Sequence, residues 1–205
     1  MDFKQIPDLP GFIFSQNKYY ITMQKLILGF VGEIASGKGS ACDYFIKEYK
    51  ADYFKFSNLL RETLSMLALP KTRKNLQRLS YVLRNEFGED IFAKVITQKA
   101  KSSKNEIVVV DGIRRHDDVE YLRKLPNFYL INITANEKIR YQRVINRKEN
   151  EGDNLKTFEE FLKDHEQNTE LFIKEVAKEA NFKIDNSGTI DKLFQKLEKL
   201  YQKIK

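Results

Sequence analysis

The sequence predicts an α/β fold, in which a five-stranded parallel sheet carries helices on both of its faces. Short runs rich in apolar and β-branched residues alternate along the chain with longer amphipathic segments. The runs cover residues 26–31, 52–56, 107–110, 128–133 and 182–185. Strands that alternate with helices run parallel, because each helix returns the chain to the starting edge of the sheet. A chain of 205 residues is long enough for one domain of this kind.

The first 24 residues precede the first predicted strand and form an N-terminal extension, so the single domain is expected to span residues 25–205. Five aromatic residues in the extension could pack on the domain or on a partner. Met23 is an alternative start of the natural chain, and the sequence leaves both interpretations open.

The first strand leads into a glycine-rich loop. Leu26–Val31 is almost entirely apolar, as in a buried parallel strand. A Gly-x-x-x-x-Gly-Lys motif runs from Gly32 to Lys38, and a helical pattern follows it. The glycines let successive amide groups face one side, and the helix dipole attracts anions to that side. The pattern predicts a phosphate-binding loop that contacts ATP through Gly32, Ala35, Ser36, Gly37, Lys38, Gly39 and Ser40.

The residues after the loop lysine depart from the usual pattern. Lys38 supplies a mobile positive charge for the β- and γ-phosphates. A hydroxyl group normally follows this lysine and helps to hold Mg²⁺, whereas here Gly39 follows and Ser40 comes one place later. We therefore expect Ser40 to take the metal-binding role.

Three helices are expected between the second and third strands. Ser57 is the predicted N-cap of the first helix, which reaches about Leu69 before Pro70 ends it. The second helix runs from about Thr72 to Glu86, and the third from about Glu89 to Ala100. The second helix carries the basic residues Arg73, Lys74, Arg78 and Arg84.

The third strand, Ile107–Val110, ends in Asp111. The carboxyl ends of parallel strands meet at one edge of a sheet, and ligands bind there in folds of this class. A carboxylate at this edge, beside a phosphate-binding loop, can hold Mg²⁺ directly or through water. Asp111 is therefore the second predicted metal ligand.

Several helix-start signals follow. Asp117 is predicted to cap the next helix, and Thr134-x-x-Glu137 and Thr157-x-x-Glu160 are predicted capping boxes. The helix that starts at Thr157 is expected to reach about Ala180. Polar residues 149–154 are the best candidates for a mobile cover over the site.

Arg143 and Arg147 lie four residues apart in the helix after the fourth strand, so they share one helix face. Planar guanidinium groups match the oxygens over which a phosphoryl-transfer transition state spreads its negative charge. A solvated basic surface is the alternative interpretation of this pair.

Composition narrows the class of protein. The chain has 36 basic and 29 acidic residues and a net charge of +7, which fits either a nucleic-acid binder or an enzyme that handles polyphosphates. Its single cysteine, Cys42, cannot form an internal disulfide, which favours a reducing compartment. Neither a secretory signal nor an apolar run of about 18 residues is present, so a cytoplasmic protein without a membrane span is expected.

The chain resembles the P-loop nucleoside monophosphate kinases of the adenylate kinase type at four places. Gly32–Ser40 ends in Gly-Lys-Gly-Ser, similar to the Gly-Lys-Gly-Thr of that family. Residues 57–61, Ser-Asn-Leu-Leu-Arg, resemble a shortened copy of its Ser-Thr-Gly-Asp-Leu-Leu-Arg segment. Residues 111–115, Asp-Gly-Ile-Arg-Arg, are similar to its Asp-Gly-Phe-Pro-Arg segment. Residues 143–147 resemble the arginines at the edge of its lid.

The resemblance implies a fold of the nucleotide kinase type with ATP and Mg²⁺ as cofactors. It implies a helical acceptor-binding region at about residues 57–101 and a short lid at about 148–157. Candidate catalytic residues are Lys38, Arg115, Arg143 and Arg147.

The resemblance also implies that Arg61 and Arg115 bind the phosphate of the acceptor and that Ser57 is a further substrate-binding residue. Arg114 stands where the family has proline, so the alignment leaves Arg114 as an alternative contact. The loop Asn186–Gly188 lies near the adenine in such kinases and is a candidate base contact.

Two other interpretations stay open. Residues 184–188 resemble the end of dephospho-coenzyme A kinases, although that family usually has serine where this chain has Gly39. A nucleotide-binding regulator could instead act on nucleic acid through the basic helix between Arg73 and Arg84. The expected partner is a small-molecule nucleotide, and the sequence leaves its base, its sugar and the oligomeric state open.

Overall fold

The computed structural model describes residues 25–147, 155–164 and 168–205. The predicted N-terminal extension, the alternative start at Met23 and most of the predicted lid lie outside these residues.

The described residues form a five-stranded sheet whose strands are all parallel, which confirms the predicted fold class. The spatial order of the strands is β2-β3-β1-β4-β5. β1 lies at the centre of the sheet, so the loop that follows it is flanked by the ends of β3 and β4. The strands are β1 Leu26–Val31, β2 Asp52–Lys55, β3 Ile107–Asp111, β4 Phe128–Thr134 and β5 Phe182–Asp185.

Helices cover both faces of the sheet. The helices are α1 Lys38–Tyr49, α2 Phe56–Met66, α3 Arg73–Phe87, α4 Ile91–Ser102, α5 His116–Val119, α6 Glu137–Arg147, α7 Phe158–Asp164, α8 Asn168–Lys178 and α9 Ile190–Ile204. A 3₁₀ turn, Leu122–Lys124, follows α5. Helices α1 and α9 cover one face, whereas α4, α5 and α8 cover the other.

Side-chain alternation in the strands divides the core into two layers. In β1, Leu28 and Phe30 point toward α1 and α9, whereas Ile27 and Val31 point toward α4 and α8. All six residues of β1 are buried, as its continuous apolar run predicts. Each such side chain contributes about 1.5–3 kcal/mol on burial, so β1 holds the glycine loop on a rigid support.

The predicted cap of α2 is wrong. The helix begins at Phe56, its N-cap is Lys55, and no side chain caps it. Because β2 runs into α2 without a loop, Ser57 lies inside the first turn of the helix. The helix ends at Met66, three residues before the predicted limit, where Leu67 leaves the helical conformation and Ala68 takes a positive φ of 54°.

The prediction for the start of α5 is also wrong. The capping carboxylate belongs to Asp118, not to Asp117, and it accepts hydrogen bonds from the amides of Arg114 and Arg115. Asp118 is 2% exposed and is paired with Arg84. This tertiary ion pair selects the second aspartate for the cap.

One of the two predicted capping boxes is confirmed. Glu160 accepts from the amide of Thr157, whose hydroxyl accepts from the amide of Glu160. Thr134 instead ends β4, and the Oδ1 atom of Asn136 accepts from the amide of Lys138 at the start of α6. The predicted long helix to Ala180 is described as α7 and α8, and residues 165–167 between them lie outside the described chain.

Candidate nucleotide-binding site

Two glycines of the loop between β1 and α1 have backbone angles and surroundings that exclude a side chain. Gly32 has φ 150°, and a Cβ atom there would lie 2.2 Å from the carbonyl oxygen of Ile133. Gly37 has φ 104°, and a Cβ atom there would lie 2.1 Å from the Nδ2 atom of Asn186. The loop can therefore take this shape only with glycine at both positions.

The loop passes directly into the N-terminus of α1. The first backbone hydrogen bond of this helix runs from the amide of Ala41 to the carbonyl of Gly37. The amides of Gly39 and Ser40 thus belong to the helix end, where N–H groups have no acceptor within the helix. Gly39 is exposed, and a Cβ atom on it would meet no atom within 4 Å. This end of the helix therefore has room for an anionic group.

Lys38 reaches back across the loop. Its Nζ atom donates to the carbonyl oxygens of Gly32, at 2.7 Å, and Glu33, at 2.9 Å. The ammonium group thus lies over the loop that the sequence assigns to phosphate, with backbone carbonyls as its partners.

Asn186 fixes the loop from the end of β5. Its Nδ2 atom donates to the carbonyl of Ser36 at 2.8 Å, and its own amide donates to the carbonyl of Thr134 at 2.7 Å. The residue is 4% exposed. The sequence proposed the loop at 186–188 as a base contact, whereas the structure gives the side chain of Asn186 a backbone partner within the phosphate loop.

Arg143 binds the same part of the loop from α6. Its Nη1 atom lies 3.3 Å from the carbonyl of Ala35 and 3.4 Å from that of Ser36, and its Nη2 atom donates to the carbonyl of Asn186 at 2.8 Å. Burial lowers the pKa of Arg143 from its usual value, and the charge of Asp185 opposes this shift. The guanidinium group therefore contacts loop carbonyls, which the sequence-based role of neutralising a migrating phosphoryl group did not anticipate. The side chain of Arg147 lies outside the described part of the structure.

Arg140 is a further loop contact that the sequence did not predict. This residue is 1% exposed, and its Nη1 atom lies 3.3 Å from the carbonyl of Ile34. Its Nη2 atom forms an ion pair with Glu33 at 3.3 Å, and Lys174 of α8 lies 3.7 Å from the same carboxylate. The acidic residue in the loop, which the motif does not need, therefore joins the loop to α6 and α8. The i,i+3 spacing of Arg140 and Arg143 places the two arginines on one face of α6, and this spacing was the sequence signal that could have indicated the role of Arg140.

Asp111 lies at the end of β3, as predicted, and is 4% exposed. Its Oδ2 atom lies 3.2 Å from the Nζ atom of Lys55 and accepts from the hydroxyl of Tyr53 at 3.0 Å. Burial and the charge of Asp111 raise the pKa of Tyr53 well above its usual value, so this hydroxyl stays protonated and donates. Lys55, which the motifs did not indicate, thus brings a cation to the same edge of the sheet.

The donor groups fit a metal that is held mainly by a nucleotide. Within residues 25–147, 155–164 and 168–205, no group of three or more His, Cys, Asp or Glu side chains could hold a metal ion. Mg²⁺ is commonly bound through one or two protein oxygens together with substrate phosphates and waters. The buried carboxylate of Asp111 and the hydroxyl of Ser40 at the open helix end have the chemistry of such a sparse site.

The predicted acceptor-binding residues lie on α2, which follows β2, and in the segment between β3 and α5. Ser57 is half-buried in the first turn of α2, and Arg61 is exposed one turn later. Arg114 is exposed. The Nη1 atom of Arg115 lies 2.6 Å from the carboxylate of Glu89.

Comparisons with known proteins identify the family. The family model AAA_17, described as an AAA domain, matches residues 31–162. A UPF0200 protein of Pyrococcus abyssi is 32% identical over 184 residues, which cover 87% of this chain and 97% of that protein. The chain belongs to the UPF0200 family. Its AAA domain includes the glycine loop, Asp111 and the helix that carries Arg143.

Solved structures show what kind of fold this UPF0200 protein has. The shikimate kinase of Bacteroides thetaiotaomicron is 12% identical, with a TM-score of 0.55 over 86% of this chain and 98% of that chain. The shikimate kinase of Acinetobacter baumannii, solved in complex with shikimate, is 17% identical, with a TM-score of 0.51 over 90% of this chain and 97% of that chain. At these identities the likeness shows a P-loop kinase-like fold alone. The closer kinship with adenylate kinases stays a prediction.

The helices of the structure bear on the expectation that the chain has no membrane span. None of the helices in the described part of this UPF0200 protein is both long enough and apolar enough to cross a bilayer.

Proposed function

We propose that this UPF0200 protein is an ATP- and Mg²⁺-dependent phosphotransferase whose acceptor is a nucleoside monophosphate or a closely related nucleotide. The observation that carries the proposal is the loop itself. Glycine at positions 32 and 37 is sterically required, and the loop opens onto the N-terminus of α1 with Lys38 above it. Such a loop is suited to the phosphates of a nucleoside triphosphate.

In this proposal the donor nucleotide is held by backbone amides and one lysine. The amides of residues 35–40 surround the β- and γ-phosphates, and Lys38 exchanges its carbonyl partners for phosphate oxygens. Ser40 and Asp111 would hold Mg²⁺, which supplies charge neutralisation between the phosphates when bound. Asn186 and Arg143 keep the loop in shape through hydrogen bonds to its carbonyl oxygen at Ser36 and to each other.

The acceptor is held by Arg61 and by Arg115 or Arg114 in the same proposal. Planar guanidinium groups bind phosphate through two parallel hydrogen bonds, which fixes its direction as well as its position. Arg143 and Arg147 would neutralise charge around the transferred group, and Arg143 would release at least one of its loop carbonyls to do so.

The proposed transfer needs no protein base. An oxygen of the acceptor phosphate forms a bond to the γ-phosphorus of ATP, and the bond from that phosphorus to the β–γ bridging oxygen breaks. ADP leaves with the electron pair of the broken bond. Because the acceptor phosphate is already anionic at neutral pH, catalysis consists of positioning and electrostatic stabilisation.

The test is a panel of acceptors offered with ATP and Mg²⁺, with ADP release as the signal. The panel contains the common nucleoside monophosphates, dephospho-coenzyme A and shikimate, because the last is the ligand of a structural neighbour. We expect release to be stimulated by at least one nucleoside monophosphate. Stimulation by dephospho-coenzyme A or shikimate alone would reassign the acceptor, and no stimulation by any compound would overturn the proposal.

A matched pair of lysine variants assigns the activity to the loop. Lys38→Ala removes the cation above the loop and should reduce the rate by at least about 100-fold, as expected for loss of a group that stabilises transition-state charge. Lys47→Ala removes an exposed lysine from the last turn of the same helix and should leave the rate unchanged. Equal rates for the two variants would count against a catalytic loop.

One observation favours the nucleic-acid alternative enough to test it. No residue of α3 is buried, Lys74 and Arg78 are exposed, and Tyr81 is 70% exposed on the same stripe. Cations beside an exposed aromatic ring suit a single-stranded nucleic acid. Binding of a labelled oligouridine that weakens steeply with salt would support this function, and salt-independent or absent binding would remove it.

A further inference from the structure

Two arginines from different helices share one carboxylate. The Oε2 atom of Glu89 lies 2.6 Å from Nη1 of Arg115 and 3.6 Å from Nη1 of Arg84. Arg84 belongs to α3, and Arg115 immediately precedes α5. Neither the glycine loop nor the metal-binding candidates take part in this group, so it is a second cluster of charged side chains.

Both guanidinium groups also have contacts other than the carboxylate of Glu89. The Nη1 atom of Arg84 donates to the main-chain carbonyl oxygen of Glu89, which a rotation of the Glu89 side chain does not move. Arg84 donates to the buried carboxylate of Asp118 at 2.9 Å, and its guanidinium carbon lies 4.9 Å from the ring centre of Phe92. Its side chain is only 11% exposed. The guanidinium carbon of Arg115 lies 5.7 Å from the ring centre of Phe172. Arg84 would therefore keep its position if the carboxylate of Glu89 left. The side chain of Arg115, which is 41% exposed, would keep its contact with the ring of Phe172.

Glu89, in contrast, has few restraints on its side chain, which is 54% exposed. It is the middle residue of the three-residue connection between α3 and α4, between Gly88, which caps α3 with φ 101°, and Asp90, the residue before α4. A rotation of its side chain moves the carboxylate into solvent without moving either helix. Two guanidinium groups in contact with one exposed carboxylate form a candidate anion-binding site that the carboxylate now occupies.

We propose that Arg84 and Arg115 bind a phosphomonoester and that the carboxylate of Glu89 occupies this site until the ligand displaces it. A phosphate dianion has more charge and more acceptor oxygens than a carboxylate, so it can bind both guanidinium groups at once. The identification of this phosphomonoester as the acceptor rests on the proposed function. It adds Arg84 to the acceptor site and makes Glu89 a competitor that lowers the affinity for every acceptor.

Phosphate binding can be measured without turnover. The probe is inorganic phosphate, followed by ³¹P line broadening at neutral pH with each full-length variant. All variants are made in the Lys38→Ala background as well, because the glycine loop also attracts phosphate. Acetate serves as the competing carboxylate probe and distinguishes a phosphate site from a general carboxylate site.

Three variants are expected to differ in their affinity for phosphate. Glu89→Gln removes the competing charge and should tighten phosphate binding by up to about fivefold, the upper limit expected when one exposed ion pair no longer has to be broken. Arg115→Lys keeps the charge but loses the planar fork, and should weaken binding about tenfold. Glu86→Gln, an exposed glutamate three residues earlier, is the matched control and should change nothing.

The outcomes separate the two proposals. Phosphate affinity that depends on Lys38 but not on Glu89 or Arg115 would overturn the second site, whether or not the protein transfers phosphate. If acetate binds this site more tightly than phosphate does, the assignment of the site to a phosphomonoester is overturned. In the transfer assay, Glu89→Gln should lower the KM for the acceptor and leave the KM for ATP unchanged. If phosphate binds as expected but no acceptor is phosphorylated, only the kinase proposal is overturned.

Discussion

The Nδ2 atom of Asn186 donates to the carbonyl oxygen of Ser36 at 2.8 Å, across 150 residues of sequence. A Cβ atom on Gly37 would lie 2.1 Å from the same nitrogen. The side-chain amide therefore fits closely against the loop, and it accounts for both the orientation of one peptide and the need for glycine at the next residue.

Removing this amide should loosen the loop. Asn186→Ala leaves the buried carbonyl of Ser36 with only the long contact from Arg143, and an unsatisfied buried acceptor costs about 1–3 kcal/mol. We expect the dissociation constant for ADP to rise about tenfold, measured by calorimetry. Asn146→Ala changes an exposed asparagine on α6 and is the control. Unchanged ADP affinity in Asn186→Ala would show that the loop keeps its shape without this donor.

Two glycines two residues apart should respond in opposite ways to alanine. Gly37→Ala forces a Cβ atom against Asn186 at a positive φ. We therefore expect the dissociation constant for ADP to rise at least about tenfold. Gly39→Ala places its Cβ atom in open space within the first turn of α1, and should raise stability by about 0.5 kcal/mol. ADP titration and thermal melting of both variants test this contrast. Retained ADP affinity in Gly37→Ala would contradict the steric argument.

The displaced hydroxyl can be moved back by mutation. Ser40→Ala should weaken the Mg²⁺ dependence of ATP binding, with an affinity loss of about tenfold for a missing metal contact. The double variant Gly39→Ser/Ser40→Ala restores a hydroxyl directly after Lys38, where phosphate-binding loops usually carry it, and should recover part of the loss. Titrations of ATP with and without Mg²⁺ measure the difference. A Ser40→Ala variant with normal Mg²⁺ dependence would remove this residue from the metal site.

Stability at the extremes of pH should depend on Glu198. The hydroxyl groups of Tyr44 and Tyr49 both donate to its Oε2 atom and join α1 to α9. These hydrogen bonds lower the pKa of Glu198, so its contribution is present above the unfolded pKa near 4.3 and is lost as the pH falls through the lower folded value.

Tyr44 gives the alkaline half of the same prediction. Burial and the hydrogen bond to Glu198 raise the pKa of Tyr44 to about 12, so its contribution is complete below pH 10 and is lost between about pH 10 and 12. Glu198→Gln should flatten the melting temperature against pH in both windows. A variant that melts in parallel with the original protein at every pH would contradict this assignment.

The sequence predicted the features that depend on neighbours along the chain. The apolar runs located every strand, and the spacing from Gly32 to Lys38 located the loop. The wrong prediction for the cap of α5 occurred where a distant residue decides the outcome. Asp118 caps α5 instead of Asp117 because Arg84, 34 residues away, pairs with it.

The sequence also did not predict the residues that hold the loop and Asp111 in place, because their partners are distant in the sequence. Arg140, Asn186 and Lys55 contact the loop or Asp111 only after the strands have assembled. Apart from the i,i+3 spacing of Arg140 and Arg143, no local pattern distinguishes such residues from ordinary surface arginine, asparagine and lysine. The roles of Arg61, Arg114 and Arg115 rest on motif resemblance and stay predictions.

The dependence of the loop on Asn186 has a consequence for biosynthesis. A nascent polypeptide whose synthesis has reached only residue 185 already includes all of residues 32–40, but it lacks the amide that orients the peptide at Ser36. Translation thus completes the phosphate cradle late, and a ribosome stalled before this codon carries a chain with the full motif and an unfinished binding loop.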